Sequence, residues 1–110
     1  VEFMETHPEK ARRAIGWCYF MSGKYEEALR IYEKLLALET PQVNDWLNSG
    51  HVYLAMGNIP QALTHYRKAQ AGCESEEDFI ALFLADKAAL ESQKVAESQI
   101  YLIADILRKA

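Results

Sequence analysis

The sequence predicts an all-α fold of antiparallel helix-turn-helix repeats, with about six helices in three hairpins. Three observations carry this expectation. First, Gly16, Tyr19, Gly23, Ala28, Leu29, Tyr32, Lys34 and Ala37 recur 34 residues on as Gly50, Tyr53, Gly57, Ala62, Leu63, Tyr66, Lys68 and Ala71. A fixed period of this size marks units that each bury an apolar face on their neighbours. Second, helix starts and stops can be read along the chain. Third, β-branched residues are few and no stretch alternates apolar and polar with period two, so no sheet is expected.

The predicted helices span residues 8–22, 24–39, 42–56, 59–72, 77–91 and 93–109. Thr6-His7-Pro8-Glu9 sets a hydroxyl three residues before a carboxylate, with Pro in the first turn, which is a capping box. Thr40-Pro41 reads as a cap followed by Pro at the first helical position, and Asn58-Ile59-Pro60-Gln61 repeats that logic. Ser75-Glu76-Glu77-Asp78 adds acids that the helix dipole favours. Gly23 and Gly57 follow apolar stretches and end helices where a positive φ is needed. Short links make consecutive helices antiparallel neighbours.

At 110 residues the chain is one domain, large enough for a core with little to spare. Twelve basic and 16 acidic residues give a net charge of -4. A nucleic-acid binder needs a basic stripe to replace phosphate counterions, and this balance argues against one. No apolar run reaches the roughly 20 residues that span a bilayer. Val1 to Glu5 carries acids without the basic n-region of a signal peptide, so a cytoplasmic location is expected. The start at Val1 is read as a piece of a larger protein or a trimmed end. Cys18 and Cys73 lack metal or redox spacing and are expected to be reduced thiols.

These residues resemble the tetratricopeptide repeat, whose unit pairs a first helix with a Trp, Leu, Gly and Tyr pattern and a second with Ala, aromatic and Ala. The stretch 43–76 fits best, through Trp46, Gly50, Tyr53, Gly57, Ala62, Tyr66 and Ala69. The stretch 9–42 supplies Ile15, Gly16, Tyr19, Gly23, Ala28 and Tyr32, with Arg12 in place of the Trp and Leu35 in place of the last Ala. The pair 77–110 departs: Leu84, Lys87 and Glu91 stand where Gly, Tyr and Gly belong, and only Phe83, Leu90, Ala96, Ile100 and Ile103 keep the character. It is read as a degenerate repeat or a capping hairpin. The resemblance implies a short right-handed superhelix. Gly16 and Gly50 would then mark close helix crossings, and Gly50→Leu would damage the fold more than any surface change.

The resemblance also implies a concave groove lined by the first helices. Its residues would be Arg13, Trp17, Phe20, Met21, Asn44, Leu47, Asn48, His51 and Leu54, together with Lys10, Ala55, Asp78, Ala81, Ala85 and Ala88. One subset of the family grips a C-terminal carboxylate with Lys and Asn residues. Asn48 fits that clamp, but Arg13, Trp17, Asp78 and Leu82 stand at its other positions, so a charged tail is not the expected ligand. Trp17, Phe20, Met21, Leu47 and Leu54 suit an apolar peptide or helix.

The expected function is a non-enzymatic protein-protein interaction module, part of a larger protein, with no cofactor and no metal. His7, His51 and His65 stand apart without zinc-site spacing, and no nucleophile motif or phosphate-binding Gly-rich loop occurs. A rival reading is a homo-oligomer formed through the last helix. Val95, Leu102, Ile103, Ile106 and Leu107 belong to an apolar arc of roughly 200°, where an amphipathic surface helix needs about 100°. A further reading rests on bacterial type III secretion chaperones, which are also short, acidic tetratricopeptide proteins. Ser22-Gly23-Lys24-Tyr25-Glu26 and Ala55-Met56-Gly57 look similar to theirs.

Overall fold

The computed structural model describes residues 8–38 and 40–108. Among these, seven α-helices and no strand occur: α1 (Pro8–Met21), α2 (Tyr25–Leu36), α3 (Val43–Ala55), α4 (Ile59–Ala71), α5 (Glu76–Ala85), α6 (Lys87–Ser92) and α7 (Glu97–Arg108). Thr6 and His7 of the expected first cap lie outside the described residues. Helix α1 pairs with α2 and α3 with α4, while α5 and α6 together pair with α7. The hairpins stack in chain order, α2 against α3 and α4 against α5 and α7.

The expected stops at Gly23 and Gly57 take φ of +77° and +82°. Each is the left-handed residue of a Schellman turn. The amide of Gly23 donates to the Phe20 carbonyl and that of Lys24 to Tyr19; Gly57 and Asn58 donate likewise to Leu54 and Tyr53. Of the expected starts, Asn58 accepts from the Gln61 amide at 3.3 Å and Ser75 from the Asp78 amide at 3.1 Å. The start at Thr40-Pro41 is displaced. Helix α3 begins at Val43 after Gln42, whose amide donates to the Asp45 carboxylate at 3.0 Å.

The third hairpin departs further from expectation. The stretch expected as one helix over 77–91 is broken at Asp86, between α5 and α6. The turn then falls at Lys94, with φ of +70°, and not at Glu91. The amides of Lys94 and Val95 donate to the Glu91 and Leu90 carbonyls, the same pattern as at the two glycine turns. Burial in the second helices shows the same slippage. Ala28, Tyr32 and Leu35 of α2 and Ala62, Tyr66 and Ala69 of α4 are buried at matched positions. In α7 the matching buried set is Ile100, Ala104 and Leu107, about one helical turn further along than a 34-residue period requires. The echo fails in the sequence because the third hairpin's turn and second helix fall later than a 34-residue period places them, while the hairpin itself is kept.

Candidate partner groove

The close helix crossing at Gly50 is real. A Cβ there would lie 2.7 Å from Tyr66 Cδ1 and Cε1, and one at Gly16 would lie 3.1 Å from Ile31 Cγ2. This close approach seats Tyr66 in the core, where its ring meets Phe83, Phe79 and His51 edge-on. Tyr66 Oη lies 2.7 Å from His51 Nδ1, and His51 Nε2 lies 2.9 Å from Asp86 Oδ2. Burial pushes the Tyr66 phenol well above its ordinary pKa, helped by the Asp86 charge, so it carries its proton. Its hydroxyl has no other acceptor among the described residues. The assignment that satisfies every proton has Tyr66 O–H donating to Nδ1 and Nε2–H donating to Asp86. His51 is then neutral. The helix break thus sits where a buried imidazole on α3 needs an acceptor from the next hairpin.

The first repeat lacks this chain. Trp17 occupies the place of His51 and offers no acceptor to Tyr32, the counterpart of Tyr66. Tyr32 Oη is buried without a hydrogen-bond partner. Burial, with the charges of Asp45 and Asp86, raises the Tyr32 pKa, and Asn48 offsets part of this from a position outside hydrogen-bond geometry.

Five of the expected groove residues, Ala85 among them, meet in one cleft. Trp17 of α1 and Asn44, Leu47 and Asn48 of α3 line it with Leu82 and Ala85 of α5 and Asp86. Its volume of about 290 Å³ suits one or two side chains, since sites that enclose a whole small ligand run from about 300 to 1,000 Å³. Leu47 shows only an edge to it, being almost wholly buried. Met21 lies elsewhere, in a cleft of about 480 Å³ with Tyr25, Ala55, Gln93 and Lys94. There the third hairpin touches the first: Tyr25 Oη donates to Gln93 Oε1 at 2.9 Å, and Gln93 Nε2 donates to the Met21 carbonyl at 3.1 Å.

Other expected residues are corrected by their burial. Phe20, His51 and Leu54 are interior. Phe20 stacks on His51 at 6.5 Å and packs on Trp17 at 5.2 Å, so both rings are core groups and not a surface floor. Arg13 is not a free groove cation. Its Nε and Nη2 donate to the two oxygens of Asp45 at 2.8 and 2.9 Å, and these bonds raise its pKa. Asp45 is itself buried, so this fork holds α1 to α3. Val95, in the turn before the last helix, and Ile103 and Leu107 in that helix are buried within the chain's own fold, and Ile106 is half-buried. Only Leu102 of that set is open, at 58% exposure, beside exposed Tyr101.

Asp86 joins the cleft although the sequence did not mark it, and Leu82, read only as a lost clamp position, lines it too. The available signal was a lone Asp inside the apolar stretch from Phe79 to Leu90. Among the described residues no helix is long and apolar enough to cross a membrane, and no group of three His, Cys, Asp or Glu residues could hold a metal.

Stacked antiparallel helix pairs with a cleft between their first helices define a helical-repeat protein. Tetratricopeptide repeat family models match residues 8–40 and 46–71, and the chain belongs to the tetratricopeptide repeat family. Repeats of this family are generally protein-protein interaction modules and generally non-enzymatic. No curated protein and no solved structure matches the chain.

Proposed function

We propose that this chain is the peptide-binding module of a larger protein, taking an apolar side chain of its partner into the Trp17 cleft. The observation that carries the reading is convergence: all three hairpins contribute to one small cleft with an aromatic wall. Trp is enriched among residues that dominate binding energy. The Asn44 side chain makes no hydrogen bond among the described residues, leaving its amide for a partner's backbone. The test is selection of phage-displayed random peptides on the whole chain, followed by affinity measurement on Trp17→Ala. Selected peptides should weaken by on the order of tenfold or more. Because Trp17 also packs on Phe20, the variant's thermal melt is expected to fall, and the melt sets conditions where it is still folded. Peptides that bind the folded variant as tightly as the parent exclude the cleft.

Self-association is a second reading, supported by the exposure of Leu102 and Tyr101 on one face of α7. It is narrower than the sequence suggested, because Val95, Ile103 and Leu107 are spent on the core. Sedimentation equilibrium of the parent and Leu102→Glu distinguishes it: a monomer at every concentration rules it out.

A further inference from the structure

We infer, building on the groove reading above, that the Trp17 cleft is a cation-directed site. The Asp86 carboxylate receives a Lys or Arg side chain of the bound peptide, while a neighbouring apolar side chain of that peptide packs on Trp17 and Leu82. Charge complementarity carries this. Among the described residues, Asp86 is the one charged residue lining the cleft. Two cations of the described residues that could compete are committed elsewhere. Arg13 is forked onto Asp45. Lys87, the next residue in sequence, reaches Glu97 at 2.7 Å and Glu91 at 3.4 Å.

His51 does not cancel the Asp86 charge, because the proton count that satisfies the buried Tyr66 hydroxyl leaves the imidazole neutral. It fixes the carboxylate instead. Oδ2 is held at 2.9 Å by a fully buried ring, and the side chain keeps 29% of its surface open, leaving Oδ1 for a ligand. A charge already held in place loses little conformational freedom on binding. A carboxylate in a half-dry cleft attracts a cationic side chain more strongly than one in open water. It repels the acidic terminus that a carboxylate clamp would take. The overall charge of -4 steers basic partners toward the molecule in the same sense.

The probes are the phage-selected peptides. They should be enriched in Lys or Arg beside a large apolar residue. Their affinity should fall on the order of tenfold when that Lys is replaced by norleucine, and equally on Asp86→Asn. Added salt should weaken them. Asp86→Asn keeps an oxygen for the His51 donor, so the fold is expected to stand, and a thermal melt checks it. If that variant unfolds, the norleucine peptide on the parent protein decides alone. Peptides that need Trp17 but are indifferent to norleucine and to Asp86→Asn overturn the cation site and leave the groove standing. Peptides rich in Asp and Glu also overturn the cation site. Peptides indifferent to Trp17→Ala overturn both readings.

Discussion

Gly50→Ala is expected to destabilise the protein by about 3 kcal/mol, while Gly16→Ala stays within about 1 kcal/mol of the parent. The new methyl at position 50 would sit 2.7 Å from two carbons of the Tyr66 ring. Carbon pairs rest at about 3.5–4.0 Å, so the ring must yield by about 1 Å. It is fully buried and wedged among Phe79, Phe83 and His51, and its hydroxyl is tied to His51. Overpacking of this kind costs about 1–3 kcal/mol, and losing the His51 bond adds about 1–3 kcal/mol. Alanine's better helix propensity returns about 1 kcal/mol. At Gly16 the nearest carbons are 3.1 and 3.2 Å away, and the Tyr32 hydroxyl has no bond to lose, so a shift of a few tenths of an ångström suffices. Urea titrations followed by circular dichroism read the difference as a lower midpoint at unchanged slope. Equal midpoints for the two variants, or a parent-like midpoint for Gly50→Ala, would refute the packing argument.

Three further outcomes follow from the same geometry. Tyr66→Phe should cost about 1–3 kcal/mol by stranding His51 Nδ1, while Tyr32→Phe should be neutral or slightly stabilising because it removes a hydroxyl that is already unpaired; equal losses in denaturant midpoint would contradict this. Lys94→Gly should add about 0.5–1 kcal/mol, since relief of a left-handed residue is worth about 1–2 kcal/mol and the looser unfolded chain returns about half of it; a lower melting temperature would count against a strained turn. Burial lowers the His65 pKa, with Lys68 adding to the effect. Its Nδ1 lies 2.6 Å from Ser49 Oγ, and its ring stands edge-on to Tyr53 and Trp46. The unfolded chain therefore takes up this proton near pH 6.5 and the folded chain only below it, so stability falls as the pH drops through that window. An NMR titration of His65 should give a midpoint below the ordinary value, and His65→Asn should flatten the acid loss; a midpoint at or above 6.5 removes the basis for it.

Local chemistry was legible in the sequence. Gly23 and Gly57 close helices because the left-handed turn favours a residue without Cβ, a matter of a few adjacent bonds. Asn58 and Ser75 cap helices through side chains that reach three residues along. The close crossing at Gly50 was legible too, because a repeated unit reports one packing geometry twice. What failed was long-range. Arg13 looked like a free cation because nothing near it in sequence shows that Asp45 would be buried against it. Phe20, His51 and Leu54 belong to the groove-facing helices by periodicity, yet their exposure depends on neighbouring hairpins.

The sequence alone therefore determined the helical hairpins, the turns of the first two units and the family, since these rest on contacts within about one repeat. Tertiary structure decided which groove residues stay open, and it decided the form of the third unit. There Asp86, at the helix break, meets the buried His51 from the next hairpin, and the turn falls at Lys94. A buried polar group must find its partner wherever the fold can supply one. That requirement links residues 35 apart and leaves no trace in a 34-residue period.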